Sequence, residues 1–176
     1  MRLGLNIKLT WLDRFWAWFT FYAPSTNPLN PDAPKRITIH CTATTDFEYY
    51  PASKIDQYHK SLGWDEIGYH MVIQPTGEVE TGRSLNKSGA HVAGQNDRNC
   101  GIALVGTSRF TREQFISLRY QLDSLRSIYE IEPWEIRCHS QYDSAIKQGK
   151  TCPNMEINKL LSWYLMHDWN AIGEYF

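Results

Sequence analysis

Residues 36–41 read RITIHC, a mostly β-branched and apolar run that closes on His40 and Cys41. A run of this length and composition forms a buried strand. Side chains alternate across a strand, so Ile37, Ile39 and Cys41 face one side while Thr38 and His40 face the other. The strand therefore has a core face and a histidine turned away from it. Residues 135–139 (EIRCH) repeat the arrangement, with Cys138 and His139 on opposite faces. Two strand-end histidines can meet at one sheet edge, where Cys152, in the polar loop KTCP that follows, can join them.

Outward from this run, helical and strand periodicities alternate as in a mixed α/β domain. Residues 52–62 have helical spacing with Ile55, Tyr58, His59 and Leu62 on one face, and residues 69–73 read as a second strand. Pro75-Thr76-Gly77 makes a hairpin turn into residues 78–81, and residues 101–105 form another buried strand. Thr111-x-x-Gln114 has the form of a capping box opening a helix with Phe115, Leu118, Leu122 and Leu125 at helical spacing. Pro133 marks its end, and residues 135–139 are the last strand. Asn154 can cap a final helix bearing Ile157, Leu160, Leu161, Tyr164 and Leu165. The tail of residues 168–176, which follows His167 and includes Trp169, reads as surface structure. The expected fold class is α/β, a mixed central β-sheet flanked by helices, with an extra N-terminal aromatic helix.

That extra helix falls in residues 1–34, which differ from the rest. Residues 9–22 carry Trp11, Leu12, Phe15, Trp16, Trp18, Phe19 and Tyr22, a helical pattern with a wide aromatic face, and Pro24, Pro28, Pro31 and Pro34 then cut it off. The apolar stretch is too short to span a membrane and contains Asp13 and Arg14, which also spoil a cleavable signal peptide. Contact with the domain or another subunit through residues 9–22, or an interfacial helix on a membrane surface, remain the two readings. The organisation is thus an arm and linker, 1–34, and one domain, 35–176.

The chain has 176 residues, of which 42% are hydrophobic and 14% aromatic, enough to close a single core. A formal net charge of −1 removes the global basic field that nucleic-acid binding uses. The four cysteines form no CxxC pair and read as reduced. Cys41, Cys100 and Cys138 lie in apolar runs as buried inert thiols, unlike Cys152, which lies between Lys150, Thr151 and Pro153. Neither a G-x-S-x-G elbow nor a phosphate-binding loop occurs, which leaves serine hydrolases and nucleotide enzymes without support.

Two neutral imidazoles and one thiolate suit tetrahedral zinc, and three protein ligands leave a fourth position for water, as catalytic zinc requires. Spacing alone leaves the alternative open, because a strand-end histidine is equally a hydrogen-bonded structural residue. His59 and His70 read as structural. Tyr69 and His70 alternate at a strand start, where one must face the core, and by itself Tyr69 reads as a packing residue.

The segments ITIHCTAT (37–44), HKSLGWDEIGYHMVI (59–73), GEVETGR (77–83), GAHVAG (89–94), NCGIALVG (99–106), CHS (138–140) and KTCP (150–153) occur in this order. Together they resemble the zinc-dependent N-acetylmuramoyl-L-alanine amidases, a superfamily shared with peptidoglycan recognition proteins, and within it the short amidase-type lysozymes of bacteriophages. The resemblance spans about residues 36–161 and leaves out the arm. It implies one catalytic Zn2+ on His40, His139 and Cys152, with Tyr69 and Lys150 as catalytic residues. It further implies substrate contacts from His91 at the cleft, in the glycine-rich loop Ser88-Gly89-Ala90-His91, and from Asn99. Asn99 and Arg83 could each equally satisfy backbone groups. The implied reaction cuts the amide between N-acetylmuramic acid and the first L-alanine of the stem peptide. In that chemistry zinc acidifies a water and polarises the carbonyl, Lys150 hydrogen-bonds the oxyanion, and Tyr69 positions water or assists proton transfer. The implied setting is a phage or prophage endolysin, made in the host cytoplasm and acting on the cell wall, with a bacterial amidase as the nearest relative reading.

Two other classes compete. A cysteine peptidase would use Cys41 or Cys138, which sit within apolar strands rather than at a helix start where a thiolate is stabilised. A peptidoglycan-binding module without catalysis would keep the groove alone, and Cys152 argues against it, because recognition proteins that only bind typically lack the metal cysteine. A protein partner stays open.

Overall fold

The computed structural model describes residues 32–176, so the aromatic helix expected at 9–22 and its contacts lie outside the described residues. Among the described residues, a five-stranded sheet has the order β3-β2-β4-β1-β5. Its strands are β1 (Arg36–Cys41), β2 (Met71–Ile73), β3 (Val79–Thr81), β4 (Asn99–Leu104) and β5 (Ile136–Cys138). β1 pairs in parallel with β4 on one side and β5 on the other, β4 pairs in parallel with β2, and β3 closes the edge antiparallel to β2. Crossovers between parallel strands need long connections, supplied in part by α1 (Ala52–Ser61) and α2 (Arg112–Tyr129). After β5 come α3 (Asp143–Lys147) and α4 (Ile157–Met166).

The expected alternation in β1 holds. Ile37, Ile39 and Cys41 enter the main core with Ile102, Leu104, Phe115, Leu118, Leu122 and Cys138. On the opposite face, Thr38 hydrogen-bonds Asn99 Oδ1 at 2.8 Å and His40 meets His91. Every residue of β4 is buried, as a strand covered on both faces must be.

The capping box forms as the sequence indicates. Thr111 Oγ1 accepts from Gln114 N at 3.1 Å, and Gln114 Oε1 accepts from Thr111 N at 2.9 Å. The Gln114 amide also donates to the carbonyls of Ile73 (3.0 Å) and Val105 (2.9 Å), so the helix start clamps the ends of β2 and β4. α2 ends at Tyr129 because Glu130 turns left-handed (φ 54), ahead of Pro133, which instead opens a 3-10 turn.

Four local expectations change. In α1 only a narrow stripe, Ala52, Ile55 and His59, is buried, leaving Tyr58 and Leu62 59% and 53% exposed. Asn154 does not cap α4: Glu156 holds that position, while the Asn154 amide donates to Thr107 O at 2.7 Å. α4 buries Leu160 and Tyr164 as expected, with Ile157 and Leu161 packed part-buried against the core, but it also buries Trp163 and leaves Leu165 exposed. The tail is not surface structure, because Ile172 and Tyr175 enter the core and Phe176 packs edge-on against Phe115. Spacing of three to four residues brings these apolar side chains to one face of the 3-10 turn Trp169–Tyr175. Ala33 is also buried in the main core, so the packed chain reaches back beyond residue 35.

Thr111 caps α2 and also donates to Pro75 O at 2.6 Å. Thr111→Ala is expected to lower unfolding stability by about 1–2 kcal/mol. Chemical denaturation checks this, and an unchanged midpoint would remove the clamp from the account.

Candidate metal centre

Two imidazoles reach one sheet edge through the parallel pairing of β1 with β5. Ile39 lies opposite Cys138, so the next residues, His40 and His139, emerge side by side with ring centroids 4.6 Å apart. His139 already belongs to a 3-10 turn (His139–Gln141), anchored where Gln141 Oε1 accepts from Cys138 N at 2.8 Å. Cys152 arrives from the loop after α3, tied down by Ser140 N donating to Cys152 O at 2.8 Å. One donor atom from each of His40, His139 and Cys152 then lies within 4.8 Å of the others.

His40 Nδ1 stands 3.7 Å from Cys152 Sγ. Zinc bonds of about 2.0–2.1 Å to nitrogen and about 2.3 Å to sulfur, at a tetrahedral angle, place such donors about 3.6 Å apart. The donor set and this separation fit a zinc ion.

Electrostatics favour the metal-ready state of the imidazoles. Burial, then His91, His139 and Lys150, hold His40 well below its ordinary value. Burial, then the Lys150 charge, brings His139 down to about 4. Both rings are therefore neutral at physiological pH and offer lone pairs. For Cys152, the neighbouring Cys41 thiol and burial push the thiol up, whereas the Cys41 N–H, donating to Sγ at 3.2 Å, pulls it down. A cation at the site supplies what the thiolate otherwise lacks.

The expected catalytic pair flanks these donors. The Tyr69 ring lies 5.1 Å from His40 and 5.5 Å from His59. His59 is structural as expected, with Nδ1 accepting from Gly68 N at 2.9 Å, and so fixes the residue before Tyr69. Burial raises the Tyr69 phenol far above its ordinary value, so it keeps its proton. The expected alternation of Tyr69 and His70 fails because β2 begins only at Met71. Tyr69 meets the His40 ring directly, and His70 reaches it through His91, the His70–His91 and His91–His40 centroids being 5.7 and 5.0 Å apart. Lys150 is exposed at the rim, its backbone N–H held by Ala145 O at 3.0 Å.

His91 and Asn99, expected at the substrate surface, are both buried and turned to partners within the protein. His91 places Nδ1 3.0 Å from His40 Nε2 and Nε2 2.9 Å from Asn99 O. Asn99, 2% exposed, uses its side chain on Thr38, Gln95 O and Tyr142. Arg83 satisfies backbone groups, donating to Ile67 O, Ser88 O and Glu66 O. Of the two thiols of the peptidase alternative, burial lifts Cys138 to about 12, whereas the hydrogen bond with Cys152 draws Cys41 down although its side chain lies in the core. Sequence reasoning did not find that His91 backs His40; its place in a glycine-rich loop signals a site but not an atom-to-atom role.

Fold and donor set define a mixed α/β domain able to take one metal ion at the carboxyl edge of its parallel strands. The family model described as N-acetylmuramoyl-L-alanine amidase matches residues 30–155. The chain is 33% identical over 131 residues to the endolysin of Escherichia phage T7, covering 70% of this chain and 82% of that protein. It superimposes on the N-acetylmuramoyl-L-alanine amidase LysC from Clostridium intestinale URNW with a TM-score of 0.65 at 30% identity, covering 76% and 85% of the two chains. Drosophila PGRP-LB, at 23% identity and a TM-score of 0.63 over 75% and 82% of the two chains, shares the fold. The chain belongs to the N-acetylmuramoyl-L-alanine amidase family.

Burial also holds His70 at about 4 and His91 at about 3, against an ordinary 6.5. The unfolded chain takes up these protons first as pH falls, so stability present above 6.5 is lost progressively below it. The denaturation midpoint of the metal-free protein should fall from about pH 7 to about pH 5, a window that leaves most carboxylates ionised. A flat profile would contradict the buried neutral imidazoles.

Proposed function

We propose that this amidase uses zinc held by His40, His139 and Cys152 to cut the bond between N-acetylmuramic acid and L-alanine of peptidoglycan stem peptides. The chain is a peptidoglycan hydrolase of the phage endolysin type, made in the host cytoplasm and acting on the wall. The observation that carries the zinc reading is the convergence of two neutral imidazoles and one thiol within 4.8 Å, beside Tyr69 and Lys150. Among the described residues no helix is long and apolar enough to cross a membrane.

A zinc ion there would acidify a bound water toward neutral pKa and polarise the scissile carbonyl. The remaining work falls to the chain's own groups. Lys150 brings a mobile ammonium to the rim, where it donates to the oxygen that becomes negative as the carbonyl is attacked. Tyr69, fixed by packing beside His40, holds its phenolic proton and donates it in a hydrogen bond to water or substrate. His91, buried against His40, limits water behind that ring.

Purified protein is expected to contain one zinc per chain and to release new L-alanine amino termini from muropeptides. Chelation should abolish the activity and added zinc restore it, and Cys152→Ser should lose both metal and activity. Lys150→Ala should retain zinc but lose about a hundredfold or more in kcat, the effect of one oxyanion donor. Activity that survives chelation but not alkylation would sink the zinc reading in favour of a thiol nucleophile.

A further inference from the structure

His91 has a rigid place beneath His40. A Cβ on Gly101 would stand 2.7 Å from His91 Cδ2, and one on Gly89 would collide with the same atom. The ring lies against two glycine backbones where no side chain fits. Gly101 is itself fixed, since its N–H donates to His70 Nδ1 at 2.9 Å while His70 Nε2 donates to Lys87 O at 3.1 Å. The His91 backbone N–H donates to Asn96 Oδ1 at 2.8 Å. The loop and the sheet thus hold this imidazole from several directions.

Hydrogen-bond polarity then fixes its tautomer. The Asn99 carbonyl can only accept, so His91 Nε2, 2.9 Å away, carries the proton. The Nδ1 of that neutral ring is a lone pair. His40 Nε2, 3.0 Å from it, must therefore be protonated and donate. A neutral imidazole protonated at Nε2 has its lone pair at Nδ1, the His40 atom that faces Cys152 Sγ.

We propose that His91 is the positioning residue of the metal centre: it relays the Asn99 carbonyl to His40 and so fixes His40 as an Nδ1 donor. This rests on the zinc site proposed above. It moves His91 from a substrate contact to a partner of a ligand, a place where loss of the second hydrogen bond typically lowers metal affinity about 10–100-fold.

Two measurements on the full chain test it. Long-range nitrogen–proton NMR of the metal-free protein should report both His91 and His40 protonated at Nε2, and a His91 protonated at Nδ1 would overturn the proposal without any variant. Zinc affinity by chelator competition should fall about tenfold or more in His91→Phe, which fills the space but accepts nothing. His91→Gln, which keeps an acceptor and a donor, should retain more affinity than His91→Phe, and cobalt spectra should report the altered ligand field. Wild-type affinity in a folded His91→Phe overturns the relay and leaves the zinc site standing. A wild-type chain that binds no zinc overturns both.

Discussion

The parallel register that sets Ile39 of β1 opposite Ile102 of β4 and Cys138 of β5 is the constraint on which the rest of the molecule depends. Strand side chains alternate with a period of two, so a slip of one residue would send His40 into the apolar core and bring Ile37 and Ile39 out of it. Burial of the core face therefore selects the register. The same register carries His40 and His139 past the strand ends together. Donor geometry is a by-product of packing that the fold needs anyway.

Burial at this edge acts in two directions. It strips water from His40, His91 and His139 and keeps them neutral, which costs stability as pH falls but leaves lone pairs available. The low local dielectric also strengthens each hydrogen bond that fixes a ring. Lys150, an exposed residue, lowers His40 and His139 further through its charge. Neutral imidazoles thus lie beside a positive charge, and both effects keep their lone pairs free.

Much of this was legible in sequence because it followed from periodicity. Alternation in RITIHC separates Ile37 and Ile39 from His40, the capping box announces α2, and the His, His and Cys types with the family motifs name the donors. What escaped depends on contacts between distant segments. Tyr69 and His70 both reach the His40–His91 pair because β2 starts later than its composition suggests, so alternation had no strand to act on. Asn154 looks like a helix cap but is taken by Thr107 O, from another loop. The tail is buried because the 3-10 turn Trp169–Tyr175 after α4 lays Ile172 and Tyr175 onto the core, a contact with distant segments. His91 carries a motif, yet its bond to His40 is a pairing of specific nitrogens that residue types alone do not encode.

The sources of the three donors bear on how a hydrolase and a recognition domain can share one architecture. The imidazoles come from strand ends and are bound to the register, so any chain with this sheet can bring residues to that edge. The thiol comes from a loop, held by Ser140 N on Cys152 O and by the Asn154 amide on Thr107 O. Loops on a rigid scaffold change without disturbing the core beneath them, and function resides in the site rather than in the fold. Replacing Cys152 would leave the sheet and the His40–His139 pair intact while removing the one sulfur donor. The three-donor set can therefore be lost at a single loop position, with the sheet that carries the two imidazoles retained.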